Sequence, residues 1–303
     1  LRGECRLVAK DYSVYIITGD PFCLSTWCFL LLAKFRKKKT ILWTHGWYGK
    51  EGLLKRSMKK IFFRMADRLL LYGNYAKNLM IENGFLPKKM YVVHNSLNYD
   101  EGLRIRDTLQ VSLIYRTHFG NTHPVLIFVG RLTPVKKLNL LVDALAILLA
   151  KGEYYNIVLV GDGAIRVSLE SQVKELGLCN QFWFYGESYD ESVNAELIYN
   201  ADLCVSPGNV GLTAIHCMTY GTPVATHSNF MNQMPEYEAI REGKTGAFFD
   251  EDSAESIASV VSAWFQKPDY SRTAIRENCY KEIDSYWTPA FQLSVFREVF
   301  SSL

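Results

Sequence analysis

Three stretches of this 303-residue sequence combine cations, glycine turns and a histidine in ways that could hold an anion. At Val129-Gly130-Arg131-Leu132-Thr133-Pro134-Val135-Lys136-Lys137 an apolar run stops at glycine and is followed by cations around a proline turn. Ligands of open α/β sheets bind beyond the carboxyl ends of the strands, so an anion would arrive at this turn. Arg131 offers a planar fork matched to phosphate oxygens, and Lys136 a compact charge beside it. Solvated surface charge is the plainer reading of these cations, and the strand–Gly–Arg context argues against it. Leu159-Val160-Gly161-Asp162-Gly163 ends a second run in a turn. Gly161 and Gly163 would let a ligand approach the main chain, although many such turns only reverse the chain. The third stretch, Val205 to Val224, reads strand, glycine-rich loop, helix and strand. Its loop carries Asn209, and the N–H groups of Gly211, Leu212 and Thr213 at the helix start would face an anion with the helix dipole behind them. Thr213 adds a hydroxyl donor. His216, on the first turns of that helix, could reach a ligand hydroxyl, and a histidine packed in the core fits the same spacing as well.

Near the amino terminus, a strand runs into Trp43-Thr44-His45-Gly46-Trp47-Tyr48-Gly49-Lys50. His45 opens a glycine and aromatic loop, so it is either a ligand contact or a histidine that closes a structural loop. Leu53–Met65 interleaves Lys55, Arg56, Lys59, Lys60 and Arg64 with Leu54, Met58, Ile61, Phe62 and Phe63. Such a helix fits an anionic membrane surface, the alternative being a solvated face.

The elements that must position these residues are βα units. Short β-rich runs at 125–129, 157–160, 182–185, 203–206, 223–226 and 246–249 alternate with helical patterns such as 138–149 and 253–265, the sign of a parallel sheet covered on both faces. The first part repeats the alternation with fewer units: strands at 13–18, 40–44, 68–71 and 90–94, helices near 22–36, 53–66 and 74–84. This predicts two Rossmann-like doubly wound α/β domains, the first incomplete. Residues 1–95 form the first domain, 96–123 a linker with a helix within 101–118, 124–285 the nucleotide-binding domain, and 286–303 a carboxy-terminal helix packing back on the first.

Composition removes several function classes. A chain with 49% hydrophobic and 21% charged residues buries a substantial core. The seven cysteines are odd in number and show no C-x-x-C spacing, which predicts a reducing compartment and no zinc. No apolar run reaches the roughly 18 residues of a membrane span, and 22–33 reads as a buried helix. Net charge is only +3, yet between residues 31 and 90 fifteen Lys and Arg stand against three acids. No nucleic-acid-binding module accompanies that charge, so nucleic acid is not an expected partner.

The motifs of 130–246 resemble the donor-binding half of the GT-B glycosyltransferases of family 4, which use nucleotide sugars with retention. The resemblance rests on Gly130-Arg131-Leu132, Lys136, Gly161-Asp162-Gly163, Phe184-Tyr185-Gly186, Gly221-Thr222-Pro223-Val224 and Gly243-Lys244-Thr245-Gly246. It implies two domains facing a cleft and transfer of a sugar from a nucleotide diphosphate to a saccharide or lipid-linked hydroxyl. It also implies diphosphate binding by Arg131, Lys136 and the amides of 211–213, no metal or other cofactor, and a donor-sugar contact for His45. The variant is similar to a bacterial polysaccharide-locus subgroup; together with the cysteine pattern and the basic helix Leu53–Met65, the expectation is a cytoplasmic enzyme, peripheral on the inner membrane face. It departs from the family where two glutamates seven residues apart are usual: Gly208 and His216 stand there. His216 is expected to hydrogen-bond a ribose hydroxyl in place of a carboxylate, which with His45 makes it a candidate catalytic residue. Two other readings remain, a sugar-nucleotide epimerase, with Glu236 as its acid/base, and a catalytically silent nucleotide-binding module.

Overall fold

A computed structural model describes residues 4–303. They divide into two compact units, one of the residues up to Asn95 with Pro289–Leu303, the other of Ser96–Thr288.

In the first unit, β1 (Val14–Thr18), β2 (Lys39–Thr44), β3 (Arg68–Leu71) and β4 (Met90–Val92) form a parallel sheet in the order β1-β2-β3-β4. Right-handed crossovers that always step the same way put the intervening helices on one face. The packing follows strand alternation: Leu42, Leu69 and Leu71 meet Phe62, Phe63 and Met80, while Ile41 and Leu70 point oppositely, to Val295 and Val299 of the helix Pro289–Ser301.

Two sequence expectations need correction here. The helix expected to be buried, Leu24–Phe35, buries Phe29, Leu30 and Ala33 but leaves Leu24, Leu31 and Phe35 exposed, because it covers edge strand β1 with only one side. The helix Leu53–Met65 does not present all its cations to solvent. Lys59 is buried, its ammonium 2.7 Å from Glu51 Oε1, and Arg64 donates to the Gly84 carbonyl at 3.0 Å.

In the second unit, β5 (Val125–Val129), β6 (Asn156–Val160), β7 (Phe182–Gly186), β8 (Leu203–Ser206), β9 (Val224–His227) and β10 (Gly246–Phe249) are all parallel. Their order is β10-β9-β8-β5-β6-β7, so the chain reverses direction across the sheet between β5 and β8. Every residue of β6 and β8 is buried, as expected of strands covered on both faces.

Residues 96–123, expected as a linker, are instead part of this unit. Their helical signal resolves into two short helices, Tyr99–Arg106 and Ile114–Phe119, separated around Gln110. Both are tied down: the Arg106 guanidinium donates two 3.0 Å bonds to Asp284, and Tyr115 donates its hydroxyl to the Leu197 carbonyl at 2.6 Å. Polarity suggested a linker because such anchors lie far away in the sequence.

Candidate functional site

The reversal between β5 and β8 opens a crevice at their carboxyl ends, where no crossover can fill the space. The turn after β5 begins at Gly130 and the loop after β8 runs into the helix Thr213–Thr219. Between them lies a cavity of about 520 Å³, lined by Gly130, Leu212, Thr213, His216, Glu191 and Tyr220, and walled by Leu97–Tyr99 and Trp287. Of the expected site residues, Leu212, Thr213 and His216 therefore meet in one cavity. Glu101 and Glu191 are its acids; Glu236, considered for an epimerase, is almost fully buried and not among the lining residues.

Glycines bring the turns together. Gly161 packs on the Gly130–Leu132 turn so tightly that a Cβ there would lie 2.1 Å from the Gly130 oxygen, and one at Gly163 would lie 2.4 Å from the Leu132 oxygen. Their absent side chains make room for protein backbone, which gives Gly161 and Gly163 a shaping role beside any contact with a ligand. Leu132 N–H donates to the Asp162 carbonyl at 2.8 Å and locks the two turns.

Gly208 has the same explanation. Its N–H donates to the Lys136 carbonyl at 3.0 Å, and a Cβ would sit 2.0 Å from the Val135 oxygen. A glutamate at this position is sterically excluded while the loop lies against the Val135–Lys136 turn. The loop is held from the other side as well, by Val210 N–H donating to Gln233 Oε1 at 2.9 Å.

The cations fall into two groups. Lys136 donates to the carbonyl and the side-chain oxygen of Asn209 at 2.6 and 2.9 Å, both neutral acceptors, and forms no direct ion pair among the described residues. Burial depresses the Lys136 pKa, and the nearby Arg131 charge pushes the same way against Cys204 and Glu236. Two cations that disfavour each other in this way would be relieved by an anion. Arg131 itself is exposed at the turn. Lys137, by contrast, is committed to Glu251 at 3.0 Å and Asp252 at 2.6 Å.

Thr213 is not the hydroxyl donor its sequence position suggests: it donates to the Val129 carbonyl at 2.9 Å. What it and its neighbours offer an anion are N–H groups at a helix start, which have no intrahelical acceptor.

His216 has a partner that the sequence did not reveal. Its Nε2–H donates to Glu191 Oε1 at 2.8 Å, and the Tyr220 hydroxyl donates to the same oxygen at 2.6 Å. Burial alone would raise the Glu191 pKa, but the bonds from His216 and Tyr220 outweigh it and hold the carboxyl below its usual range. In the neutral form of the ring, a proton on Nε2 facing the carboxylate leaves Nδ1 as an acceptor. Asp190 caps the helix Glu191–Asn200, accepting from Ser192 N–H at 2.9 Å, and so fixes where Glu191 begins.

His45 belongs to the first unit, where it follows β2 and lines a separate cavity of about 300 Å³ with Gly19, Asp20, Tyr48, Lys59 and Tyr72. Its ring lies 4.6 Å from that of Tyr72 and stacks on Tyr48 at 6.1 Å. Burial lowers its pKa, favouring the neutral ring, and Nδ1 is buried without a hydrogen-bond partner among the described residues. Glu51 accepts from Tyr48 N–H at 3.1 Å, Gly49 N–H at 2.9 Å and Lys59, which pins the loop carrying His45. Among the described residues no cluster of three or more His, Cys, Asp or Glu is placed to hold a metal ion, and no helix is long and apolar enough to cross a membrane.

Comparison with known proteins bears on this geometry. A family model described as glycosyl transferases group 1 matches residues 115–282. An alpha-D-kanosaminyltransferase of Streptomyces kanamyceticus is 26% identical over 222 residues, which cover 71% of this chain and 55% of that protein. A GDP-mannose-dependent alpha-(1-6)-phosphatidylinositol dimannoside mannosyltransferase of Mycobacterium tuberculosis is 29% identical over 161 residues, 52% of this chain and 40% of its own. The chain thus spans about half the length of the curated relatives it matches, or less. The crystal structure of Anabaena HepE in complex with UDP superposes with a TM-score of 0.76 at 17% identity, over 99% of this chain and 82% of that one, so the fold is shared.

Proposed function

Because the chain belongs to the glycosyl transferases group 1 family, which matches more than half of it, and has the GT-B fold, we propose that it transfers a sugar from a nucleoside diphosphate donor to a hydroxyl acceptor. The observation that carries this reading is the cavity at the β5/β8 reversal, large enough for a small-molecule ligand, with helix-start N–H groups on its wall and Arg131 and Lys136 at the turn after β5. Negative charge builds on the diphosphate as the glycosidic bond breaks, and fixed N–H groups and cations stabilise it without reorganising. On this reading no metal is needed, and Gly161 and Gly163 bring the phosphate-binding turns together.

The Glu191–His216 pair takes the ribose. His216 Nδ1 accepts from a hydroxyl while Glu191, itself lining the cavity, replaces the carboxylate that positions 208 and 216 lack. We assign His45 a contact with the donor sugar, as the resemblance implies. The chemistry is hexosyl transfer with retention, in cell-surface polysaccharide or glycoconjugate synthesis, with a saccharide or lipid-linked acceptor. We place it in the cytoplasm, peripheral on the inner membrane face. The UDP bound to HepE and the GDP-mannose named for the mycobacterial relative define the first donors to try.

Incubation with a panel of UDP- and GDP-sugars, with and without simple glycoside acceptors, tests the reading. Release of the free nucleoside diphosphate together with a glycosylated acceptor supports transfer. An isomerised donor would mark an epimerase, and binding with neither product a silent module.

A further inference from the structure

The carboxyl ends of β1, β2 and β3 carry the His45 cavity, and the opposite edge of the same sheet has a different character. Where β2, β3 and β4 begin, a cavity of about 290 Å³ is lined by Lys34, Lys37, Lys38, Lys39, Arg64 and Lys89. Asp67 is the acid among its lining residues, and it is already engaged: it accepts from Thr40 N–H at 2.9 Å and lies 3.6 Å from Lys39. Among the described residues Lys34, Lys37, Lys38 and Lys89 enter no ion pair. A concentration of one charge sign around a concavity focuses its field on an anion.

A second cavity, of about 300 Å³, adjoins the first and shares Arg64, Ala66 and Lys89 with it. Its remaining lining is Phe63, Leu69, Phe85, Leu86, Met90 and Gly84, so it is apolar where the first is cationic. Leu86 is 54% exposed at its mouth. Beside them the carboxy-terminal end of the helix Leu24–Phe35 turns Leu31 and Phe35 to solvent, and Phe35, 90% exposed, directly precedes the basic run Arg36–Lys39. Cations around one hollow, an apolar groove opening from it and exposed apolar side chains alongside match one chemistry, a phosphate joined to a hydrocarbon chain.

We propose that the amino-terminal edge of the four-stranded sheet is a binding site for an anionic phospholipid of a bilayer, its phosphate among Lys34, Lys37, Lys38 and Lys89 and its acyl chain in the groove beside Phe85 and Leu86. This deepens the peripheral-membrane part of the proposed function, rests on it, and moves the contact from the length of the helix Leu53–Met65 to its carboxy-terminal end, where Phe63, Arg64 and Met65 line the two cavities. The length of β2 sets the two edges about 15–20 Å apart. The bound lipid is therefore an anchor and not a substrate: it holds the sheet against the membrane by one edge while the His45 edge stays clear.

The test is co-sedimentation of the full chain with phosphatidylcholine vesicles with and without phosphatidylglycerol. Wild type binds only the anionic vesicles. Lys34→Gln with Lys37→Gln, both at exposed positions, lowers the partition coefficient about thirty-fold, from two surface cations at ~1 kcal/mol each, with the melting temperature and nucleoside diphosphate affinity unchanged. Lys55→Gln, at an exposed position of the helix Leu53–Met65 outside both cavities, leaves it unchanged. A wild type indifferent to lipid charge contradicts the membrane reading itself. Anionic binding lost only in the Lys55 variant keeps that reading and overturns this site. Soluble short-chain phosphatidylglycerol binds more tightly than glycerol phosphate or inorganic phosphate if the groove takes a chain; equal binding means a phosphate site alone and overturns the lipid.

Discussion

The six-stranded sheet reverses its strand order between β5 and β8, whereas the four-stranded sheet steps from β1 to β4 without a reversal among the described residues. In the second unit the crevice is therefore a product of topology, and glycines at its rim let backbone meet backbone. In the first unit the loop after β2 has no such crevice, and side chains organise it: Glu51 gathers two N–H groups and the buried Lys59 around the aromatic setting of His45. A site made of backbone tolerates changes in most side chains but not the addition of one at a glycine. A site made by a buried ion pair fails when one partner is removed.

The largest expected effect follows from that second statement. Lys59→Ala strands the Glu51 carboxylate in a buried setting and costs about 3–5 kcal/mol, read as a fall in the midpoint of denaturant unfolding, while nucleoside diphosphate affinity of whatever remains folded is unchanged. Loss of both together would erase the distinction between the units. Gly208→Ala is the counterpart. Its Cβ would meet the Val135 oxygen at 2.0 Å, so the loop has to move; a cost of about 1–3 kcal/mol in stability and a clear loss of nucleotide affinity are expected in calorimetry. For the same reason Gly208→Glu, which restores the residue usual in the family, does not improve activity.

Glu191→Gln acts more narrowly. It keeps the side chain's shape but removes the charge that fixes the His216 tautomer, so preference for a ribonucleoside over a 2′-deoxyribonucleoside diphosphate falls about five-fold, roughly 1 kcal/mol. An unchanged ratio would remove the pair from the ribose. The smallest effect concerns acid stability. Burial pushes the Glu251 carboxyl up, but donors on Asn232, Lys137 and Asn229 outweigh it and bring the pKa down to about 2 from 4.5. As pH falls below 4.5 the unfolded chain takes up this proton first, so stability present above that value is lost progressively toward pH 2. Glu251→Gln flattens that part of the curve in thermal melts across acid pH.

What the sequence revealed was whatever is written locally. The ten strands of the described residues lay in short apolar runs, and Gly130, Gly161 and Gly211 stood out because glycine after a strand marks a turn that side chains would obstruct. Interactions between distant segments left no such mark. Glu191 follows the helix cap Asp190, where an acid is ordinarily a helix-start residue, and its bond to His216 spans 25 positions. The signal that could have found it was indirect: a histidine in place of a carboxylate calls for a carboxylate nearby. Residues 96–123 looked like a linker because their polar side chains, Arg106 above all, have partners such as Asp284 at the far end of the same unit. Lys59 counted as one more surface cation until its burial against Glu51 was apparent.

The central claim is that the turn after β5 and the loop after β8 hold the diphosphate of a nucleotide. Calorimetric titration with a nucleoside diphosphate and the matching monophosphate, on wild type and Arg131→Ala, tests it most directly. The account predicts tighter binding of the diphosphate by wild type, and a loss of about 1.5–3 kcal/mol on Arg131→Ala that falls mainly on the diphosphate. Equal affinity of wild type for the two nucleotides, or an Arg131→Ala variant that binds the diphosphate as wild type does, would contradict it.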